Sequence, residues 1–263
     1  MSRGPVRPKK ALGQHFLTDM SVARRIASTL EVPSRPDLDR LPVLEIGPGT
    51  GVLTQFLLSD GRELKAVELD SESVEYLRLN FPSLSVIEGD FLQMDLSAIF
   101  PGEFALTGNY PYNISSQIFF KLLDYKDRIP LCTGMLQREV AERICASPGG
   151  KARGILSVLL QAWYDCEYLF TVPENVFNPP PKVKSGVLRL VRNGVSDLGC
   201  DEALFRRTVK TTFGMRRKTL RNSVGSMVGK DSPILTDPIM TQRPEQLSVE
   251  QFVALTNLIA TVL

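Results

Sequence analysis

Residues 43–51, with the sequence Val-Leu-Glu-Ile-Gly-Pro-Gly-Thr-Gly, decide the fold of this chain. The first four residues predict a short apolar strand, and the three glycines that follow predict a tight turn. The apolar side chains of Leu53, Phe56 and Leu57 then predict a helix. A strand, a glycine turn and a helix form the opening unit of a doubly wound α/β sheet, which binds ligands beyond the carboxyl ends of its strands. The glycines let the backbone approach a ligand that a side chain would exclude.

Polar residues follow the next three predicted strands at the same edge of this sheet. Glu68 ends the second strand, Asp90 follows the third, and Asn109 follows the fourth. A carboxylate at Glu68 can accept hydrogen bonds from both hydroxyl groups of an adenosine ribose. The glycine spacing is not that of the dinucleotide pattern, and acids would repel the pyrophosphate of NAD. S-adenosylmethionine carries a positive sulfonium and no phosphate, so the sequence predicts this cofactor.

The segment Asn-Tyr-Pro-Tyr that begins at Asn109 can hold the amino group of a nucleobase. The Asn109 amide oxygen and the Tyr110 carbonyl can each accept one N–H, which localises the nitrogen lone pair for attack on a methyl group. Pro111 fixes its own φ and keeps Tyr110 extended, while Tyr112 can stack on the base. A plain strand-to-helix turn explains the same four residues. Phe177, before three consecutive prolines, is either a second stacking face opposite Tyr112 or a core residue.

Composition limits the class of protein. The chain has 263 residues, 43% hydrophobic and 23% charged, which is ordinary for a globular protein. No apolar run reaches the roughly 18–20 residues of a membrane span. The amino terminus is basic (Arg3, Arg7, Lys9 and Lys10) without an apolar signal segment, so we expect a cytoplasmic protein. The scattered cysteines favour reduced thiols, and because His15 is the only histidine we expect no metal site.

Positive charge is concentrated between residues 179 and 230, where the net charge is +9 against −7 for the remainder. This segregation favours a polyanionic partner, although solvated helix faces give similar charge runs. Helices are predicted over 203–213 and 219–228, and Ser115 and Ser248 are predicted to cap two others. Between Phe205 and Arg221 there are no acidic residues and seven basic ones: Arg206, Arg207, Lys210, Arg216, Arg217, Lys218 and Arg221. We expect this region to bind nucleic acid.

The chain resembles the bacterial ribosomal RNA adenine dimethyltransferases over nearly its full length. The matching motifs lie at residues 13–17, 45–51, 68–70, 89–90, 109–115, 137–140, 177–183 and 216–222. The resemblance implies an α/β fold of the Rossmann-like class I S-adenosylmethionine-dependent methyltransferases, with a doubly wound, mostly parallel sheet and a small all-α carboxyl-terminal domain. We place the domains at 1–194 and 195–263.

The implied activity is dimethylation of the 6-amino groups of two adjacent adenosines in a hairpin near the 3′ end of 16S rRNA. The substrate would be the immature small ribosomal subunit, and the protein would act as a monomer. The resemblance assigns the target base to Asn109, Tyr112 and Phe177. The residues expected at the S-adenosyl-L-methionine site are His15, Leu17, Gly47, Gly49, Gly51, Glu68, Asp90 and Asn109.

The chain departs from the family pattern at two positions. The family usually has Asn in place of His15 and Leu in place of Tyr110. Since residue 110 acts through its backbone carbonyl, the larger side chain costs the mechanism little, and a histidine nitrogen can stand in for an amide. Three other functions stay open: methylation of large-subunit RNA, methylation of DNA amino groups, and a non-catalytic role in ribosome assembly or RNA binding.

Overall fold

The computed structural model describes residues 6–263, so Arg3 of the basic amino terminus lies outside the described residues. The chain divides into two compact units. One contains the residues up to Ala141 together with Cys166–Arg192, and the other contains Glu142–Asp165 together with Asn193–Leu263. The predicted domains 1–194 and 195–263 assign the segment 142–165 to the first domain, and that division stays a prediction.

The described residues form short strands, α-helices and connecting 3-10 turns. The strands are β1 (Phe16–Leu17), β2 (Val43–Ile46), β3 (Leu64–Glu68), β4 (Ser85–Glu88), β5 (Ala105–Gly108), β6 (Leu131–Gln137), β7 (Tyr164–Val172), β8 (Phe177–Asn178) and β9 (Ser185–Arg192). The α-helices are α1 (Met20–Ala27), α2 (Thr54–Ser59), α3 (Ser71–Asn80), α4 (Ser115–Asp124), α5 (Arg138–Ile144), α6 (Ile155–Gln161), α7 (Glu202–Gly214), α8 (Leu220–Val228) and α9 (Val249–Ala260).

The main sheet has the strand order β4-β3-β2-β5-β6-β9-β7. Parallel ladders join β4 to β3, β3 to β2, β2 to β5 and β5 to β6, whereas β6 and β9 are antiparallel. The chain moves outward from β2 to β4 and then returns to the other side of β2 at β5. The carboxyl ends of β2 and β5 therefore flank a topological switch point, where open α/β sheets bind ligands. The predicted doubly wound, mostly parallel sheet is confirmed.

Strands β2 and β5 are buried along their whole length, as expected for central strands of a sheet covered on both faces. Their buried side chains are mainly apolar, but Glu45 of β2 is only 1% exposed. Its Oε2 accepts a hydrogen bond of 2.7 Å from the Thr54 hydroxyl. Burial raises the pKa of the Glu45 carboxyl to about 8, so this group keeps its proton at neutral pH.

Two helix caps test the sequence predictions. Ser248 caps α9 as predicted, since its hydroxyl accepts the backbone N–H of Gln251 at 3.2 Å. The Ser115 cap is wrong. Ser115 is the first residue of α4, and its hydroxyl donates to the Tyr112 carbonyl at 3.3 Å. The turn after Pro111 brings the chain into the helix one residue early, so Ile114 occupies the cap position.

The second unit is helical, which confirms the elements predicted there. The rings of Phe213 in α7 and Phe252 in α9 stack at 6.1 Å. Arg153 is 1% exposed and donates hydrogen bonds to the carbonyls of Leu247 and Ala146, so it ties the segment 142–165 to the start of α9. Across residues 6–263, no helix combines the length and apolar character that crossing a membrane requires.

Candidate active site

A cleft of about 920 Å³, part of it open to solvent, lies at the carboxyl ends of β2, β3 and β5. The structure brings seven of the predicted site residues together around it: His15, Gly47, Gly49, Glu68, Asp90, Asn109 and Tyr112. Leu17, Gly51 and Phe177 are placed outside its lining. Convergence at this edge was expected from the sheet, because parallel strands deliver the residues that follow them to the same side.

The glycine turn forms one wall of the cleft. Gly47 and Gly49 have φ values of +65° and +57°, which side chains adopt only with strain. The Gly49 N–H donates to Glu68 Oε2 at 3.0 Å, so the turn is tied to the end of β3. Gly51 has a different role: a Cβ there would lie 2.3 Å from the ring of Phe81. Gly51 is therefore required for packing beneath the turn.

Glu68 is 5% exposed and accepts three backbone hydrogen bonds. Besides the bond from Gly49, its Oε1 accepts the N–H groups of Leu69 and Asp70, both at 2.9 Å. Burial raises the pKa of Glu68, while these three bonds act in the opposite direction. A carboxylate has about four lone-pair sites, so Glu68 retains room for one further donor from a ligand.

The rest of the cleft suits a cationic, partly apolar ligand. Asp90 places its carboxylate there, with one oxygen accepting the Leu92 N–H at 2.9 Å. Leu69 also lines the cleft and is 53% exposed, so it offers an apolar surface to a planar group. Among the described lining residues there is no lysine or arginine. This donor set fits the sulfonium and adenosine of S-adenosylmethionine and provides no counter-charge for a phosphate.

Asn109 has a fixed amide orientation. Its Nδ2 donates to the main-chain carbonyl of His15 at 3.0 Å. A carbonyl oxygen can only accept a hydrogen bond, so Nδ2 of Asn109 must be the atom that faces His15. This contact also fixes which atom of the amide is the oxygen. The backbone of Asn109 also bridges Met135 of β6. The amide oxygen is thus an acceptor on a rigid support.

Tyr110 is held at both its backbone and its side chain. Its N–H donates to the Met135 carbonyl at 2.8 Å, and its buried hydroxyl donates to the Thr133 carbonyl at 2.7 Å. Burial raises the pKa of this phenol well above its ordinary value. The ring fits because residue 134 is glycine: a Cβ there would lie 2.7 Å from Tyr110 Cε2. The departure from the family pattern at Tyr110 therefore adds a side-chain anchor for this segment of the cleft wall.

Tyr112 is half-buried, and two contacts orient its ring. Its hydroxyl forms a 2.5 Å hydrogen bond with Ser185 Oγ, and its ring centroid lies 5.5 Å from that of His15. Burial raises the pKa of Tyr112, and the Ser185 bond partly offsets that rise. His15 is held in turn by a contact of 2.8 Å between its Nδ1 and the Pro179 carbonyl. The ring of Tyr112 is therefore fixed at one side of the cleft.

Leu17 and Phe177 pair across the small β1–β8 ladder. Phe177 is 4% exposed and belongs to the hydrophobic core, as does Leu17. Leu17 lines a smaller neighbouring cavity that also reaches Gly47 and Asn109. The sequence allowed Phe177 to be either a stacking face or a core residue, and in this arrangement it lies in the core. Its stacking on a base stays a prediction. Groups of three or more potential metal ligands are absent from residues 6–263.

Comparison with known proteins identifies the family. The sequence pattern described as "Ribosomal RNA adenine dimethylase" matches residues 6–261. The chain belongs to the ribosomal RNA adenine dimethylase family. It is 65% identical over 253 residues to "Ribosomal RNA small subunit methyltransferase A" of Parabacteroides distasonis, covering 95% of this chain and 93% of the relative. The protein of the same name in Phocaeicola vulgatus is 62% identical over 263 residues, covering 99% and 92%.

Solved structures support the same assignment. A dimethyladenosine transferase from Plasmodium falciparum superposes with a TM-score of 0.74 at 25% identity, covering 92% of this chain and 96% of that one. The 23S rRNA methyltransferase ErmE superposes with a TM-score of 0.63 at 26% identity, covering 93% and 99%. This dimethylase-family chain is a methyltransferase with the Rossmann-like class I fold, and its methyl donor is S-adenosyl-L-methionine.

Sequence reasoning missed several residues of the dimethylase site. Lys9 Nζ lies 2.5 Å from Asp70 Oδ1, and Gln14 also donates to Asp70, so the amino-terminal arm is bound over the end of β3. Residues 12–16 of this arm consequently form one wall of the cleft. The motifs at 13–17 and 68–70 contain Gln14 and Asp70 without showing that these two residues meet, and Lys9 lies outside both motifs. Ser185, the partner of Tyr112, carried no signal.

Proposed function

We propose that this protein transfers methyl groups from S-adenosyl-L-methionine to the 6-amino groups of two adjacent adenosines in a hairpin near the 3′ end of 16S rRNA. The observation that carries the proposal is the position of Asn109. Its side-chain amide is held by a hydrogen bond to His15, and the residue lines a cleft shared with the glycine turn and two acids, in a chain of the dimethylase family. Methylation would occur in the cytoplasm, on the immature small ribosomal subunit, by a monomer.

The chain's own groups position the amine. Asn109 Oδ1 accepts one N–H of the adenine amino group and the Tyr110 carbonyl accepts the other, because both are acceptors on one rigid segment. These bonds draw the nitrogen lone pair out of conjugation with the ring and direct it into the cleft. S-adenosylmethionine supplies an electrophilic methyl group on its sulfonium. Acceleration therefore comes mainly from positioning and electrostatics, and the released proton goes to water.

The base must leave its helical stack to reach Asn109, which costs a few kcal/mol. Tyr112 offsets part of this cost by stacking on the adenine, and the ring arrives already oriented by Ser185 and His15. Phe177 serves as a second stacking face only if the β1–β8 pair opens, because its ring is buried between Leu17 and the core.

The RNA is held by the basic turn that joins α7 to α8. Arg217 and Lys218 are exposed in this turn, and so are Arg221 in the first turn of α8 and Arg207 on α7. Each phosphate that such a side chain neutralises releases counterions, so affinity falls as salt rises. Replacing one of these residues by methionine should weaken RNA binding and lower the slope of log K against log salt by about 1.

The test uses small subunits lacking the modification, incubated with methyl-labelled S-adenosylmethionine. We expect dimethylation of two adjacent adenosines near the 3′ end, located by nuclease mapping of the labelled RNA. Asn109→Ala should reduce methyl transfer by about 10²–10³-fold while RNA binding is retained. Asn80→Ala, on the exposed end of α3, is the matched control and should leave transfer unchanged.

A second candidate follows from the likeness to ErmE, which is a 23S rRNA methyltransferase. If the label appears in large-subunit RNA and not in small-subunit RNA, the proposal is wrong and this candidate replaces it. If Asn109→Ala transfers methyl groups at the wild-type rate, the amide has no part in the reaction and the proposed chemistry fails on either RNA.

A further inference from the structure

Residues 179–184, here called the proline loop, connect β8 to β9 and are bound to the cleft at both ends. At one end the Pro179 carbonyl contacts Nδ1 of His15 at 2.8 Å. At the other end Ser185, the next residue of the chain, forms the 2.5 Å bond to the hydroxyl of Tyr112. His15 and Tyr112 both line the cleft, so the proline loop is joined at each end to a residue of the cleft wall.

The middle of the proline loop exposes an apolar side chain between two cations. Val183 is 46% exposed, and Lys182 and Lys184 on either side of it are exposed as well. Within residues 6–263, neither lysine takes part in an ion pair or a side-chain hydrogen bond. Three consecutive prolines precede this group and restrict the backbone, so the loop presents it with little conformational entropy left to lose.

This combination suits a nucleic-acid helix with one base removed. Proteins that distort a duplex insert apolar side chains between base steps, and lysine side chains bind phosphates of the backbone. A protein partner would have to bring carboxylates to both lysines and an apolar pocket to the valine between them. The RNA substrate supplies both: phosphates on either side of the target nucleotide, and an apolar gap in the stack that its base has left.

We propose that the proline loop is a base-extrusion wedge, in which Val183 occupies the gap left by the target adenine while Lys182 and Lys184 bind the flanking phosphates. The wedge rests on the proposed function, because it presupposes that an adenine enters the cleft beside Tyr112. It assigns Val183 a task distinct from methyl transfer. Val183 stabilises the RNA with its base extruded, whereas Asn109 and Tyr112 act on the base once it has arrived.

The experiment compares two RNA substrates with Val183→Ser. One is a hairpin in which the target adenosine is stacked, and the other is a short single strand with the same target sequence. On the hairpin we expect kcat/KM to fall by about tenfold, since unstacking is no longer compensated. On the single strand we expect less than about a twofold change, because there is no helical stack to fill. Val183→Leu keeps an apolar wedge and should restore activity on the hairpin.

Leu79→Ser is the matched control, since Leu79 is an exposed apolar residue on α3, away from the cleft lining. It should leave both substrates unaffected. A hairpin with 2-aminopurine at the target position reports extrusion directly: its fluorescence on binding should rise with wild-type protein and much less with Val183→Ser. Lys182→Met and Lys184→Met should each lower the salt slope of hairpin binding by about 1.

The wedge is overturned if Val183→Ser slows both substrates equally, slows neither, or gives the full rise in 2-aminopurine fluorescence. The proposed function fails separately if wild-type protein transfers no methyl label to small subunits that lack the modification. If Tyr112→Ala is inactive on both RNAs while Val183→Ser is normal on both, the chemistry stands and only the wedge is rejected.

Discussion

The hydrogen bond between Ser185 and Tyr112 allows the sharpest test of how the site is built. Ser185 is fully buried in β9, and its hydroxyl lies 2.5 Å from the phenol of Tyr112, 73 residues away in sequence. Replacing Ser185 by alanine removes this bond and frees the Tyr112 ring to rotate. Replacing Tyr112 by phenylalanine keeps the ring and leaves the buried Ser185 hydroxyl without its partner.

The magnitudes follow from burial. A net hydrogen bond contributes about 0.5–1.5 kcal/mol, and a buried hydroxyl left unpaired costs about 1–3 kcal/mol. We therefore expect Tyr112→Phe to destabilise the protein more than Ser185→Ala, since the half-buried phenol can turn toward water and the Ser185 hydroxyl cannot. The double variant should be about 1 kcal/mol more stable than the sum of the single changes, because it leaves neither group unpaired.

Guanidinium denaturation of the four proteins gives the free energies of unfolding, and single-turnover methyl transfer at saturating cofactor gives the rate. Ser185→Ala should slow transfer by about 3–10-fold, equivalent to about 1 kcal/mol. The matched control is Ser223→Ala in α8, whose buried hydroxyl donates to the Leu220 carbonyl, and it should leave the rate unchanged. A coupling energy below about 0.3 kcal/mol would refute the reasoning. The reasoning would also be refuted if Ser185→Ala slowed methyl transfer equally in protein that already carries Tyr112→Phe.

Three further predictions concern the supports of the cleft. Burial raises the pKa of Glu45 from 4.5 to about 8, so the folded state binds the proton more tightly and stability should fall between about pH 5 and 8. The free energy of unfolding should fall by at most about 1.4 kcal/mol for each unit that the pH rises. Urea denaturation at several pH values should show a weaker dependence on pH in Glu45→Gln. Gly51→Ala should lower the free energy of unfolding by about 2 kcal/mol or more, because residue 51 has a φ of +79° and its Cβ would meet the ring of Phe81. In the same assay, adding Phe81→Leu should recover part of this loss. Lys9→Met should loosen the amino-terminal arm from Asp70 and speed cofactor release several-fold in stopped-flow binding, an effect that added salt should reproduce in wild-type protein. An unchanged pH slope, an unchanged denaturation midpoint or an unchanged release rate would contradict the respective prediction.

Much of the fold and half of the site follow from local sequence. Alternation of apolar strands, turns and helices predicts a parallel sheet, and parallel strands place the residues after them at one edge. Gly47, Glu68, Asp90 and Asn109 each follow or end a strand, so their convergence needs no knowledge of side-chain packing. The Ser115 cap failed because the turn after a proline shifts the start of a helix by one residue, which propensity alone does not resolve.

The remaining features depend on contacts between residues far apart in the chain. Lys9 meets Asp70 across 61 residues, and Tyr112 meets Ser185 across 73. Phe177 was equally consistent with a stacking face and with a core residue until its pairing with Leu17 placed it in the core. The sequence by itself determined which strand ends carry the chemistry, because periodicity and turn residues act locally. Only the tertiary structure decided which side chains hold those ends in place, since strand register and packing bring together residues that no local pattern relates.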